Sequence, residues 1–314
     1  MRKCTLPAGE VSLIYRNLSS YLHSKYGSNV YKLCIDGGFT CPNRDGSCGT
    51  GGCIFCGERG SGEHMNSRKS IGEQVVSYFR HHPKHDRVIA YFQNFTNTYA
   101  PVNVLKERYD SALCDSRIVG LSIGTRPDCI DEENVNLIAS YAERYETWVE
   151  LGFQTAVEST VKLINRGYGN EVFTRAVNLL GSHGIPVVVH IILGLPGEGD
   201  AELARTMDFL CAHNIWGIKV HSVFVMKNTV LEKMYLEGKF TVPPYEDFVR
   251  RAAYVIARVN PDTVIHRLTG ECPEDVLVAP HWNVNKNRII GDITECMERN
   301  NWTQGCLYNR ITRL

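Results

Sequence analysis

The chain lacks an excess of charge of either sign. Lys and Arg total 34 and Asp and Glu total 34 across 314 residues, so the formal net charge is zero. That balance removes a global electrostatic pull toward nucleic acid or an anionic membrane, and leaves only local basic patches as a basis for either. Lys286 and Arg288 are too sparse to form one, because phosphate recognition needs several cations together. Long hydrophobic runs are missing too. The longest, Val187 to Leu195, already contains His190 and falls well short of the ~20 residues a spanning helix requires. The opening MRKCTLPAGEVSLIYRN has no apolar core of signal-peptide type. Internal repeats, low-complexity tracts and long linkers are also absent. These absences predict a soluble, cytoplasmic protein with no membrane partner. With 43% hydrophobic and 22% charged residues, the chain has the composition of a globular protein rather than a disordered one or a coiled coil.

Cysteine, by contrast, is plentiful. Twelve cysteines in a secreted miniprotein would read as a disulfide framework, but a chain this long buries enough surface to fold without staples. Four of them, Cys41, Cys48, Cys53 and Cys56, fall within sixteen residues, whereas the others are scattered through apparent helices and strands. Concentrated cysteine in a reducing compartment points to metal.

Strand-like segments recur at Val30–Ile35, Val88–Phe92, Ile118–Ser122, Thr147–Phe153, Val187–Leu193 and Gly217–Val225. The last five begin 30, 29, 40 and 30 residues apart, the size of successive βαβ units. Runs such as VVVHIIL are apolar on both faces, as in parallel strands covered on each side. Between them the apolar period becomes helical: Val172, Phe173, Ala176, Val177 and Leu180 share a face, as do Leu203, Met207, Leu210 and Cys211. Asp131 is an expected N-cap, and Gly184, just before Pro186, an expected helix stop. Six clear strands do not support a complete eight-stranded barrel. The expected fold is α/β, a partial (β/α)6 TIM-like barrel over residues 30–240. An N-terminal helix (Val11–Tyr26, within residues 1–29) precedes it and an α/β extension over residues 241–314 follows. That extension opens on a helix with Phe248, Ala252, Val255, Ile256 and Val259 on one face and continues to a strand at Val264–Leu268.

Directly after the first strand comes IDGGFTCPNRDGSCGTGGCIFCGERGSG, where α/β folds carry their chemistry. Glycine supplies nine of the twenty-six residues from Gly37 to Gly62, so the loop can bend tightly around an inorganic centre. Three readings of the thiols compete. A structural zinc site would use all four cysteines, although only Cys53 and Cys56 form a CxxC pair. Cys48, Cys53 and Cys56 match the C-x4-C-x2-C run of plant-type ferredoxins, whose small β-rich fold this chain does not share. Cys41, Cys53 and Cys56, spaced C-x11-C-x2-C, would place three thiolates on a four-iron cluster and leave one iron open to an outside ligand.

The stretches DGGFTCPNRDG…GGCIFC, YFQNFTNTYAP, SIGTRPD, ELGFQTA…INRGYG, HIILGLPGE, IKVHSVFVMKNT and RLTGECPEDVLVAPHW resemble, in order from Val30 to Trp282, the radical S-adenosylmethionine (SAM) superfamily. Within it the chain is similar to the YtqA/YhcC-like family, related to the catalytic subunit of Elongator. The spacing C-x11-C-x2-C departs from the commoner CxxxCxxC and resembles the longer loop of this branch. The resemblance implies that Cys41, Cys53 and Cys56 hold a [4Fe–4S] cluster whose open iron is chelated by SAM, with Cys48 an extra. It implies reductive cleavage of SAM to methionine and a 5′-deoxyadenosyl radical, an electron donor such as flavodoxin or ferredoxin, and sensitivity to oxygen. It also implies SAM contacts. Phe55 would pack near adenine, Gln93 and Asn97 follow the second strand near the amino group, and Thr125 and Arg126 follow the third. Gln154 and Arg166 resemble a SAM-binding Gln and Arg of the oxygen-independent coproporphyrinogen oxidase branch, which has an aspartate in place of His190. Gly194, Leu195 and Pro196 form a turn that lets backbone approach adenine.

The Elongator kinship implies a tRNA substrate, modified on the C5 side chain of wobble uridine, and the branch is associated with maturing carboxymethylaminomethyl-uridine toward aminomethyl forms. Tyr99, Lys219, His221 and Lys227, with Arg267, His281 and Trp282 of the extension, are the expected substrate-facing residues. A small-molecule substrate is the alternative within the same chemistry. A metal that merely staples the loop is the alternative outside it, and predicts a site closed by Cys48.

Overall fold

The computed structural model describes residues 14–60 and 68–309. Its strands are β1 (Tyr31–Ile35), β2 (Val88–Phe92), β3 (Ile118–Thr125), β4 (Glu146–Gln154), β5 (Val187–Leu193), β6 (Gly217–Ser222), β7 (Val225–Met226), β8 (Val264–Arg267) and β9 (Leu277–Ala279). The helices are α1 (Leu18–Tyr26), α2 (Ile71–His81), α3 (Val102–Ala112), α4 (Glu132–Ala142), α5 (Glu158–Leu163), α6 (Asn170–Ser182), α7 (Asp200–Cys211), α8 (Val230–Leu236), α9 (Tyr245–Arg258) and α10 (Lys286–Arg299).

Seven strands form one all-parallel sheet in the order β1-β2-β3-β4-β5-β6-β8, so nearly every crossover moves one place along the sheet. Right-handed twist accumulates in such a sheet and curls it. The curl is visible in side chains that meet across it. Lys32 on β1 reaches to within 3.5 Å of Glu150 on β4, three strands away. Ile89, Trp148, Val188 and Val264, from β2, β4, β5 and β8, share one apolar cluster with Leu18 and Leu22 of α1. Helix α1 therefore plugs the floor of a half-barrel. On the outer face Phe92, Leu105, Tyr109, Ile123, Val149 and Phe173 belong to the main core beneath the helical layer.

The expected partial barrel is present, with local differences. The extension's strand becomes the seventh of the sheet. The sixth strand ends at Ser222, and Val225–Met226 leaves the sheet to pair antiparallel with β9. Helix α1 begins at Leu18, after an Asn17 N-cap whose side chain accepts from Ser20 N at 2.8 Å. The expected helix start at Val11 lies outside the described residues. Asp131 caps α4, and Gly184 follows α6 with φ +69°, which an L-residue adopts only at a cost. Among the described residues no helix is long and apolar enough to cross a membrane.

Candidate active site

At the carboxyl ends of the strands lies a cavity of about 300 Å³, walled by the cysteine loop on one side and by the segment after β8 on the other. A larger groove of about 840 Å³ runs between α7, α9 and α10. Its arginines are matched by acids (Arg250 and Arg251 by Asp200, Arg288 by Asp292), and it sits away from the strand ends, so the chemistry belongs to the smaller cavity.

The cysteine loop is docked through its backbone. Ile54 N donates to Ile164 O at 3.1 Å, and Ile54 O accepts from Leu231 N at 2.9 Å. Asn43 Nδ2 donates to Asn165 O at 2.6 Å, and Asn165 Nδ2 to Gly52 O at 2.8 Å. Arg44 donates to the Cys56 carbonyl at 2.9 Å, and a Cβ on Gly52 (φ +75°) would strike its Nε at 2.9 Å. So held, Cys41, Cys53 and Cys56 all line the cavity, and none is in a disulfide. Burial pushes the Cys53 thiol up to about 12, helped by the two neighbouring cysteines and opposed by Arg126. Three thiols around one cavity, with Asn43 Nδ2 3.8 Å from Cys53 Sγ, form a soft donor set that suits an iron–sulfur cluster. Cys48 is exposed and does not line the cavity.

Of the other expected residues, Phe55, Gln93, Thr125, Arg126, Gln154, Arg166, His190, His221 and Arg267 line the same cavity. Gln154 has φ +67° at a register shift at the end of β4, and Phe95, also on the wall, has φ +57°. Such conformations cost about 1–3 kcal/mol each and persist where the surroundings impose them. Arg126 is bidentate with Asp128 at 2.9 and 2.6 Å, and is only 10% exposed, so it is not a surface ion pair. The Arg166 guanidinium donates to the carbonyls of Phe153, Thr155 and Tyr168 and to Asn170 Oδ1.

The remaining residues are elsewhere. Asn97 is buried behind the wall, with Nδ2 donating to Phe92 O and Gly124 O, and ties β2 to β3. Gly194, Leu195 and Pro196 are buried, with Gly194 against Pro243 and Leu195 in the apolar cluster of Ile54 and Val223; none of the three lines the cavity. Tyr99 is hydrogen-bonded to Ser47 on the exposed side of the loop at 2.7 Å. Trp282 packs between Tyr245 and Phe248, Lys227 donates to Asp275 O, and His281 is exposed, so these three do not reach the cavity. A bulky aromatic in a terminal extension is recruited by the nearest apolar surface, here α9.

On the floor of the cavity the expected Lys219 and His190 meet a carboxylate, Glu150, that is absent from the expected set. Glu150 on β4 is fully buried and accepts from Ser122 Oγ at 2.7 Å, Trp148 Nε1 at 2.9 Å, His190 Nε2 at 2.8 Å and Lys219 Nζ, with Lys32 Nζ at 3.5 Å. Burial alone would raise its carboxyl, but Lys219, Lys32 and His190 hold it well below the usual range. Lys219 stands over the Tyr91 ring at 4.1 Å, and burial draws it down to about 7 against the pull of Glu150. Burial lowers His190 to about 4, with the Glu150 hydrogen bond opposing, so at neutral pH His190 is an uncharged imidazole whose Nε2–H donates to the carboxylate. The signal available in the sequence was one acidic residue in the otherwise apolar strand TWVELGF.

A curled parallel half-barrel carrying three cavity-facing cysteines on the loop after its first strand defines the radical SAM class of enzyme. Residues 45–210 match the Radical SAM superfamily, and residues 215–299 the Radical_SAM C-terminal domain. The chain is 37% identical to YtqA of Bacillus subtilis (strain 168), over 99% of this chain and 98% of that one. It is 37% identical to YhcC of Escherichia coli (strain K12), over 84% and 86%. The chain belongs to the radical SAM superfamily and, within it, to the family of YtqA and YhcC. Membership implies SAM and a [4Fe–4S] cluster. A more distant match, 31% identical over 50% of this chain and 34% of the relative, is to the tRNA uridine(34) acetyltransferase of Dehalococcoides mccartyi (strain CBDB1). Among solved structures the archaeal Methanocaldococcus infernus Elp3 superposes with a TM-score of 0.68 at 18% identity, over 88% of this chain and 64% of that one, a likeness of fold.

Proposed function

We propose that this radical SAM enzyme acts on tRNA, at the C5 side chain of the wobble uridine, converting a carboxymethylaminomethyl group toward its aminomethyl form. The observation that carries the substrate is the match of half the chain to a tRNA uridine(34) acetyltransferase, supported by the fold shared with Elp3. Cys41, Cys53 and Cys56 would hold the cluster. When bound, cluster and SAM supply a reductively generated carbon radical that abstracts a substrate hydrogen. Phe55, Gln93, Thr125 and Gln154 would line the SAM side of the cavity, with Arg126 and Arg166 as the rigid frame around the thiols. His190 and the Glu150 centre would form the floor beneath the substrate. Asn97 and the Gly194–Pro196 turn would support these walls from behind. A low-potential donor, flavodoxin or ferredoxin, would deliver the electron through the cysteine loop. Residues 30–240 would form the catalytic core, and the extension after residue 240 would close its open edge.

The test is anaerobic reconstitution with iron and sulfide, then SAM plus dithionite, with 5′-deoxyadenosine as the readout and a Cys41→Ala/Cys53→Ala/Cys56→Ala protein beside the wild type. Cleavage by the wild type alone, accelerated by tRNA carrying the carboxymethylaminomethyl group, is the expected result. Cleavage indifferent to every tRNA would assign the cavity to a small molecule. A four-iron protein that leaves SAM intact with tRNA present would overturn the reading.

A further inference from the structure

Four arginines line the cavity, and three are spent on the protein itself: Arg44 on loop carbonyls, Arg126 on Asp128, Arg166 on carbonyls and Asn170. The fourth, Arg267 at the end of β8, has no hydrogen-bond or ion-pair partner among the described residues. Its register partner across the β6–β8 pair is Lys219, so two cations stand side by side on adjacent strands, an arrangement that repels. The buried carboxylate nearby, Glu150, is already satisfied by Lys219 and Lys32 and forms no ion pair with Arg267. The rim acid Glu271 is 61% exposed and lies toward Lys286 at 3.9 Å. Beside Arg267, the buried His221 Nε2 also lacks a partner. A guanidinium and an imidazole nitrogen, neither with a protein partner among the described residues, stand on one wall with a buried ammonium behind them, a grouping whose charge and donors suit an anion.

We propose that Arg267 and His221, with Lys219 behind them, form an anion subsite that takes a carboxylate carried by the substrate. A carboxylate offers two oxygens in the plane a guanidinium prefers, with lone pairs left for the imidazole. A phosphodiester is embedded in its polymer and remains at the cavity mouth. Neutralisation also removes a repulsion already present, since the Arg267 charge is among those holding Lys219 down. The subsite deepens the reading above and rests on it for the substrate's identity. It would select substrates bearing the acid over those carrying the bare amine.

The experiment uses the reconstituted, SAM-loaded protein and two anticodon stem-loop RNAs, one with 5-carboxymethylaminomethyluridine and one with 5-aminomethyluridine. Wild type should bind the acid-bearing RNA about tenfold more tightly, the scale of one charge-assisted pair. Arg267→Gln should erase that preference without moving SAM affinity, and Arg267→Lys should restore part of it. A preference that survives Arg267→Gln overturns the subsite. So does a tenfold loss of SAM affinity, which would give Arg267 to the carboxylate of SAM. A second measurement is independent of RNA: phenylglyoxal labelling of Arg267 in the wild type, followed by peptide mass spectrometry. N-methylglycine should protect and its amide should not; equal labelling in both overturns the subsite even if RNA binds. Protection with no RNA binding supports the subsite and removes the tRNA reading instead.

Discussion

A carboxylate surrounded by five donors in a half-barrel floor is an electrostatic keystone, and its removal has a calculable consequence. Glu150→Gln keeps the shape of the side chain but leaves Lys219 buried beside Lys32 and Arg267 with no negative charge among them. Breaking a buried ion pair from one side costs about 3–5 kcal/mol, because the remaining charge is stranded. Urea denaturation of Glu150→Gln should show a loss of that order. The double variant Glu150→Gln/Lys219→Met should recover most of it, since the stranded ammonium goes too. A single-variant loss below about 1 kcal/mol would mean that water already reaches the floor and screens the pair. At this scale the sequence was partly legible. The three cysteines stood out because thiols at that spacing have few uses. Tyr99 and Trp282 carry equally suggestive chemistry, yet Ser47 and the α9 aromatics hold them away from the cavity. Which neighbour captures a side chain depends on contacts between segments far apart in the chain.

Among the elements, the cysteine loop shows how a glycine-rich segment becomes rigid without regular structure. Its order comes from a few backbone anchors, Ile54 to Ile164 and Leu231, and from the reciprocal Asn43 and Asn165 contacts. Asn43→Ala should therefore lower iron content per chain after reconstitution while leaving the global unfolding midpoint nearly unchanged, because loop opening is a local event. Iron loading equal to wild type would show that the backbone anchors suffice. Cys48→Ala should retain its iron, since Cys48 faces solvent, and a loss of metal would revive a site closed by four thiols. Strand positions were legible for a related reason: a strand buried on both faces leaves a continuous apolar run, and β2 and β5 have the expected bounds. The departure of Val225–Met226 from β6 was not, because its partner β9 lies about fifty residues further along. Strand β8 was expected, but its place beside β6 is a matter of long-range pairing that local patterning does not encode.

For the whole molecule, the half-barrel floor makes stability depend on acid. Burial holds His190 at about 4 and keeps His221 and His266 well below the ordinary imidazole value, so all three are neutral in the fold. In the unfolded chain each takes up a proton below about pH 6.5. Between those limits the unfolded state binds more protons than the native state, and stability must fall as pH falls. For His190 alone the shift from 6.5 to about 4 corresponds to about 3 kcal/mol, complete once the pH is below both values. Lys219 acts in a separate window, from about 7 to its unfolded value near 10.5, where stability rises with pH for the same reason. Denaturant unfolding from pH 7 to pH 4 should therefore show a steep loss. Acid also strips iron–sulfur clusters, so the informative quantity is the difference from His190→Gln, which keeps an amide to donate to Glu150. The variant's curve should be shallower by about 3 kcal/mol over that range, with cluster loss common to both proteins. Parallel curves would mean that His190 is charged in the fold and that Glu150 is then flanked by a third cation.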